Sequence, residues 1–236
     1  MSFRWWVYPL ILLGSLLLVG LGILALVLVL IYPNLPSIDA VTDYRPKLPL
    51  RVYTAEGDLM GEFGEEKRAF VKVGDFPPVM KNAIIAAEDE RFYEHKGVDF
   101  IGLARAASGL FTQGKMKGGA STITQQVARN FFLTNEVTLT RKFSEWLLAF
   151  KIERNLTKDQ ILEIYLNHIF LGNRAHGFAA AARVYFGKDV GQLTAPEAAM
   201  LAGIPKAPSQ YNPFNNLKRA NLRQQYVLRR MGELKF

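Results

Sequence analysis

Cysteine is absent from the 236-residue chain, so the protein contains no disulfide bond and no thiolate metal ligand. Histidine is scarce, and the spacing of His95, His168 and His176 matches no metal-binding motif, which argues against a histidine-based metal site. Charged residues make up 21% of the chain and hydrophobic residues 50%, a balance that excludes intrinsic disorder. The formal net charge of +8 predicts an anionic partner: nucleic acid, lipid headgroups or a phosphorylated substrate.

Charge is also missing from the N-terminal stretch, because no charged residue lies between Trp5 and Tyr32. About 20 apolar residues span a bilayer as a helix, and aromatic residues at both ends favour the membrane interface. A cleaved signal peptide would have a shorter apolar core, of about 7–15 residues. We therefore predict a transmembrane signal anchor over residues 1–32, with the positive-inside rule weakly favouring an external C-terminal part.

The rest of the chain divides into three regions. Four prolines in residues 33–49 predict an extended linker. Residues 50–75 predict a small β region, and residues 76–236 show helical periodicity with capping signals. Thr122, Thr157 and Thr194 are predicted to open helices as capping boxes, and Gly187 is predicted to end one. The predicted bounds include helices over residues 161–170, 178–186 and 195–203. Three short strands are predicted, over residues 51–54, 59–63 and 69–73. The predicted fold class is mainly α, a helical domain with a small N-terminal β collar, preceded by one transmembrane helix.

The first candidate site is Glu88, near the end of an otherwise apolar helix predicted over residues 79–90. A carboxylate there experiences the negative end of the helix dipole and apolar neighbours, and both raise its pKa. A raised pKa suits a glutamate to general acid or base catalysis. The alternative interpretation is a solvated helix end formed by Glu88, Asp89 and Glu90, and on this segment alone the two interpretations are equally favoured.

The second candidate is a glycine-containing segment that leads into a helix at Ser121 and Thr122. Backbone N–H groups at a helix start bind anions, and nearby Lys115, Lys117 and Arg129 add positive charge. The alternative is an ordinary capped helix after a loop, and the segment alone favours that alternative because no phosphate-binding motif is present.

The third candidate is the trio Arg141, Lys142 and Glu145 on a predicted helix over residues 139–155. Spacings of three and four residues are typical of a surface ion-pair ladder. Alternatively, the two cations bind phosphate and Glu145 supplies a second acidic group at one site.

Taken in order, these segments resemble the motifs of the peptidoglycan glycosyltransferases, the membrane-anchored polymerases of lipid II, which have a lysozyme-like helical fold. The matching stretches are Glu88-Asp-x-x-Phe92-x-x-His95-x-Gly97, Gly119-x-Ser121-Thr122-Ile-x-Gln125-Gln126, Arg141-Lys142-x-x-Glu145, Ile161-Leu-x-x-Tyr165-Leu166-Asn167 with Gly172, and, more loosely, Arg229-Arg230-Met231. The resemblance runs from about residue 50 to the end and is closest to the N-terminal part of class A penicillin-binding proteins. The S-x-x-K and K-T-G transpeptidase motifs are absent, so a part of a bifunctional protein and a stand-alone enzyme both remain open.

The resemblance implies that Glu88 is a catalytic base and that Glu145 takes a supporting catalytic role. It implies substrate contacts for a larger set: Asp89, Phe92, His95, Lys115, Gly119, Ser121, Thr122, Gln125, Gln126, Arg129, Asn130, Arg141, Lys142 and Asn167. Many relatives have lysine where this chain has Arg129, and either cation binds phosphate. The family also binds the phosphoglycolipid moenomycin at the cationic set.

The same resemblance implies partners and a location. The expected partners are lipid II, the nascent glycan chain and inner-membrane lipids, with other cell-wall synthesis proteins as further candidates and no nucleic acid. No cofactor is required, and a divalent cation, Mg²⁺ or Mn²⁺, is an optional aid at the pyrophosphate. The expected location is the bacterial inner membrane, with a single span and the catalytic domain on the outer, periplasmic side. Residues 110–117 are expected to contact lipid, whereas residues 100–103 are expected to be core.

Two other functions compete with this one. A lysozyme-like or lytic glycan-cleaving enzyme also needs one glutamate of raised pKa, but it has no pyrophosphate leaving group for the cations to neutralise. A membrane-tethered nucleic-acid-binding module is suggested by the net charge alone, and no recognised binding motif supports it.

Overall fold

The structure is a computed structural model that describes residues 7–44, 49–57, 59–113, 121–133 and 138–236. The described residues form ten helices and four short strands, so the predicted mainly α fold is confirmed. The helices are α1 Val7–Ile31, α2 Asp39–Thr42, α3 Pro78–Glu88, α4 Phe100–Gln113, α5 Ile123–Phe132, α6 Leu139–Asn155, α7 Lys158–His168, α8 Phe178–Phe186, α9 Ala195–Gly203 and α10 Leu217–Glu233. The strands are β1 Leu50–Tyr53, β2 Leu59–Phe63, β3 Lys67–Arg68 and β4 Ala175–His176.

Local capping signals set several of these helix ends. Thr122, Thr157 and Thr194 each form a capping box with the residue three positions later, as predicted. Helix α8 ends at Gly187, whose φ of 65° lies in the left-handed region that glycine adopts without strain. The predicted bounds of two helices are wrong: α3 stops at Glu88 rather than at residue 90, and α7 covers residues 158–168 rather than 161–170.

The core is formed by the apolar faces of helices from both halves of the domain. Helix α3 packs against α9 and α10, and α5 packs against α6 and α7. Phe76, Met80, Tyr165 and Phe178 are among the largest side chains with almost no exposed surface. This packing brings the C-terminal end of α3 next to α5 on one side and α10 on the other.

The predicted third strand over residues 69–73 is wrong. The short strand is β3, which pairs in parallel with β4, while β1 and β2 form a separate antiparallel hairpin. Downstream of β3, the side chain of Asn167 binds both the N–H and the carbonyl oxygen of Val71, and the carboxylate of Glu163 accepts the N–H of Val73. Side chains of α7 therefore satisfy backbone groups that a sheet partner would otherwise bind.

The region predicted as an extended linker also differs from the prediction. Its middle forms the single turn of α2, and the side chains of Ile38 and Val41 are buried in the core. The ring of Tyr44 contacts Phe131 edge-on at 5.5 Å between centroids. Two apolar residues three positions apart share one face of a helical turn, and this spacing lets the segment pack against the domain.

Helix α1 is the candidate membrane span. It is long and apolar enough to cross a bilayer. Its most apolar 18-residue stretch has a mean hydropathy of 2.9, and none of that stretch is buried within the protein. The predicted transmembrane helix therefore has a structural counterpart.

Candidate functional site

Glu88 occupies the last position of α3, where its side chain is almost completely enclosed by neighbouring helices. Its Oε2 accepts a hydrogen bond from Nε2 of Gln126 at 2.8 Å, and its Oε1 lies 3.9 Å from Nη2 of Arg223. Burial raises the pKa of Glu88 above its usual value, although the Gln126 hydrogen bond and the charges of Arg223, Lys206 and Arg129 oppose the rise. A glutamate of this kind is suited to accept a proton.

Asp89 ties the end of α3 to the start of α5. Its buried carboxylate accepts the backbone N–H of Ile123 at 3.0 Å, and Nε2 of His95 lies 3.0 Å from both of its oxygens. Asp89 and His95 are therefore placed to position the first turn of α5 rather than to contact a ligand freely.

The same helix start is held by Thr122 and Gly97. The Thr122 hydroxyl donates to the Gly97 carbonyl oxygen at 2.5 Å and accepts the N–H of Gln125. Gly97 has a φ of +90°, and a Cβ there would lie 3.0 Å from backbone atoms of Ala149, so no other residue fits without movement. The start of α5 is thus attached to α6 through Gly97.

A cavity of about 590 Å³ opens beside Glu88. Glu88 and Asp89 line one wall, and Ser121 and Thr122 at the start of α5 line another. The remaining lining residues come from the ends of α3, α4 and α10: Ala86, Ala87, Glu90, Asp99, Gly102, Leu103, Arg105, Tyr226, Arg229, Arg230 and Glu233. The volume lies within the range of small-molecule sites, and the lining combines charged with apolar side chains.

A second buried glutamate lies on α6. The side chain of Glu145 has no exposed surface, and its two oxygens are bound by Arg141 at 2.9 Å and by Lys142 at 2.6 Å. Lys142 Nζ also donates to the Ser121 hydroxyl at 2.9 Å, which connects this trio to the cavity wall. The surface-ladder interpretation is wrong for these residues, because the shared carboxylate is fully buried.

Three predicted substrate contacts lie inside the protein instead. Phe92 has no exposed surface and packs in the core, with Lys158 Nζ 4.4 Å from its ring centre. Gln125 is buried as the capping partner of Thr122, and Asn167 is buried against the backbone of Val71. These placements leave no surface for a substrate, so we assign the three residues to the support of the site.

The other predicted residues divide between the site and the undescribed part of the chain. Gln126 contacts Glu88 directly, and Arg129, half-buried one turn further along α5, adds positive charge near it. Asn130 is exposed at the following position. The predicted contacts Lys115 and Gly119, and residues 114–117 of the expected lipid-contacting segment, lie outside the described residues. The expectation that residues 100–103 are core is wrong at Phe100 and Ile101, which are each 59% exposed.

Sequence reasoning missed Arg223, which is the cation nearest to Glu88 within the described ranges of the chain. The signal was present, because Arg223 interrupts the apolar stripe of α10 formed by Ala220, Val227 and Met231. It also missed the ion-pair network in which Glu90 binds Arg105 and Arg230 across the cavity.

No dedicated metal site is visible in the described part of the chain, where no group of three or more His, Asp or Glu residues is arranged to hold an ion. The donor set of these residues therefore does not fit a metal held by protein ligands alone.

Comparisons with known proteins agree on one family. Residues 56–232 match the family model described as transglycosylase. Penicillin-binding protein 1A of Neisseria lactamica is 59% identical over 216 residues, which cover 92% of this chain and 27% of that protein. Penicillin-binding protein 1A of Escherichia coli (strain K12) is 51% identical over 224 residues, which cover 95% of this chain and 26% of that protein. The chain thus spans about a quarter of the length of these relatives.

Among solved structures, penicillin-binding protein 1A from Haemophilus influenzae is 31% identical. The match covers 81% of this chain and 19% of that one, with a TM-score of 0.44.

Proposed function

Because this chain belongs to the transglycosylase family, we propose that it is a peptidoglycan glycosyltransferase that polymerises lipid II into β-1,4-linked glycan strands with inversion and releases polyprenyl pyrophosphate. The observation that carries the proposal is the position of Glu88. Its buried carboxylate lines a cavity whose opposite wall is a helix start connected, through Ser121, to the Arg141, Lys142 and Glu145 trio.

Glu88 acts as the general base. It takes the proton of the acceptor sugar's 4-hydroxyl while that oxygen attacks the donor's anomeric carbon, and the bond from the anomeric carbon to the pyrophosphate breaks. Inversion follows because a single displacement forms no covalent enzyme intermediate. Since Oε1 is buried and has no hydrogen-bond partner among the described residues, the proton goes to Oε2, which has a second lone pair beside its bond from Gln126.

The cations serve the leaving group. Arg141 and Lys142 neutralise pyrophosphate charge, and the N–H groups at the start of α5 add hydrogen-bond donors. Glu145 holds both cations in place, a supporting role that we favour over acid catalysis because pyrophosphate requires charge neutralisation more than a proton. A divalent cation that assists here would bind mainly through the substrate's own phosphates.

The location follows from the substrate and from α1. Each CH₂ group removed from the bilayer costs about 0.8 kcal/mol, so a polyprenyl substrate stays in the membrane and the enzyme must work at its surface. We place the chain in the bacterial inner membrane with its catalytic domain on the periplasmic side, in contact with lipid II, the growing glycan and membrane lipids.

Labelled lipid II tests the proposal. The full chain in detergent, incubated with the lipid and resolved on a gel, is expected to yield ladders of glycan chains together with released lipid pyrophosphate. Disaccharide fragments from preformed glycan would favour a lytic enzyme instead. Salt-dependent DNA binding without any glycan product would support the nucleic-acid alternative.

A further inference from the structure

Arg223 joins two parts of the site that are far apart in sequence. Its guanidinium donates a hydrogen bond from Nη2 to the carbonyl oxygen of Ala87 at 3.3 Å, and the same nitrogen lies 3.9 Å from Oε1 of Glu88. Its guanidinium carbon lies 4.5 Å from the ring centre of Tyr226, one turn further along α10. The Tyr226 ring therefore holds the face of the guanidinium, and the Ala87 carbonyl oxygen holds its edge.

The aliphatic part of Arg223 is fixed by close packing. Helix α9 crosses α10 at Gly203, where a Cβ would lie 2.8 Å from Cγ of Arg223. The side chain of Arg223 is 9% exposed, so solvent screens its charge weakly. A glycine at this crossing thus leaves room for a buried arginine to reach the catalytic carboxylate.

Resting on the proposed function, we propose that Arg223 is a positioning residue that orients the carboxylate of Glu88 and keeps it available as a base. Arg223 attracts the inner oxygen Oε1 from the α10 side, and Gln126 binds Oε2 from the α5 side. The two contacts set the rotation of the carboxylate plane.

The charge of Arg223 has a second consequence. Burial raises the pKa of Glu88, and each cation nearby opposes that rise by favouring the ionised form. The charged groups that act on Glu88 come from three elements: Arg223 of α10, Lys206 after α9 and Arg129 of α5. Tyr165 of α7 and the adjacent Asp89 are the other titratable groups at this position. Loss of the Arg223 charge should therefore leave Glu88 protonated over a wider pH range.

A carboxyl titration tests the proposal without substrate. The full chain, labelled with ¹³C-glutamate in detergent, is titrated by infrared difference spectroscopy, and Glu88→Gln identifies the Glu88 signal. Arg223→Gln should move the Glu88 midpoint upward by about one pH unit, the scale typical of losing one nearby opposite charge. Arg223→Lys should stay near the wild-type midpoint because it keeps the charge.

The matched control is Arg219→Gln. Arg219 lies one turn earlier on α10, is exposed and donates to Gln210, so the same charge is lost away from the site. An unchanged midpoint in folded Arg223→Gln, or an equal rise in Arg223→Lys or Arg219→Gln, would overturn the proposal. If Arg223→Gln does not fold, Gly203→Ala displaces the arginine instead, and it should raise the midpoint by a smaller amount; no rise would overturn the proposal.

Activity supplies a second measurement. The kcat of Arg223→Gln should fall about tenfold at neutral pH and recover partly at higher pH, with KM for lipid II little changed. A merely structural arginine would lower thermal stability without moving the acidic limb of the pH profile. The titration needs no lipid II, so a wild-type chain that fails to polymerise would overturn the proposed function alone.

Discussion

Glu88 and Glu145 are both buried helical carboxylates near one cavity, yet their surroundings differ. Glu88 has one neutral hydrogen-bond donor within 2.8 Å, and its nearest cation is 3.9 Å away. Glu145 is bound directly by two cations, at 2.6 and 2.9 Å. Burial without a directly bound cation leaves a carboxylate able to take up a proton, whereas burial with two bound cations makes the carboxylate an anchor for them.

The comparison also distinguishes the proposed base, Glu88, from a residue that supports the site, Glu145. At Glu88 the protein accepts an electrostatic penalty, because desolvation opposes the ionised form that a base requires. At Glu145 the desolvation penalty of the buried carboxylate is offset by the charges of Arg141 and Lys142. Glu145 in turn holds Lys142 beside Ser121 on the cavity wall. Substitutions at the two positions should therefore have different principal effects.

The largest effect is expected for Glu88→Gln. Removal of the general base should lower the rate of lipid II polymerisation by about 10²–10⁴-fold while lipid II binding remains detectable. Glu94→Gln is the matched control, because Glu94 is exposed a few residues away and pairs with Arg91. Near-normal turnover of Glu88→Gln in the gel assay would show that another group is the base.

Glu145→Ala should act mainly on stability. It leaves Arg141 and Lys142 without their shared counter-ion, and breaking a buried ion pair costs about 3–5 kcal/mol; we expect the lower end because Lys142 is 34% exposed. Denaturant titration measures the loss. Glu94→Ala, which breaks an exposed glutamate–arginine pair, should cost less than about 1 kcal/mol. Equal losses in the two variants would contradict an anchoring role for Glu145.

The variants Arg141→Ala and Lys142→Ala test whether these two cations form the proposed anion site. Each should weaken binding of moenomycin about tenfold, since a charge-assisted hydrogen bond contributes about 1.5–3 kcal/mol and part of it is replaced by water. Arg154→Ala, at an exposed position in the last turn of the same helix, is the control. Calorimetry with the full chain gives the affinities, and unchanged values for both site variants would remove these cations from the anion site.

The smallest expected effect is a gain in stability for Glu88→Gln. Because folding raises the pKa of Glu88, the folded state holds more protons than the unfolded state above the ordinary value of 4.5, so wild-type stability falls as the pH rises through that window. The neutral glutamine escapes this penalty, so unfolding at pH 7 should require more free energy for the variant than for the wild type. The difference should disappear below pH 4.5. A less stable variant at pH 7 would contradict the assigned cause.

Features that depend on a local sequence pattern, such as helix bounds, could be predicted from the sequence. The bounds of α6, α8 and α9 agree with the predictions because caps and apolar spacing act within one helix. The raised pKa of Glu88 was predicted from its position at the end of an apolar helix, and burial is the leading cause in the structure. Direct substrate contact for Phe92 and Asn167 was expected from motif membership, which does not distinguish a residue that binds substrate from one that supports the site.

By itself, the sequence determined the helical class, the apolar N-terminal helix, the capped helix ends and the family, since these depend on residues close together in the chain or on ordered motifs. Only the tertiary structure decided which charges from distant parts of the chain meet. Arg223 lies 135 positions after Glu88, and their contact exists because α3 packs against both α9 and α10. Long-range packing also buries Phe92 and docks Ile38 and Val41 against the core. In the region where a third strand was expected, it lets side chains of α7 bind the backbone instead. Packing desolvates both glutamates, and the presence or absence of directly bound cations gives these two residues of equal chemistry different roles.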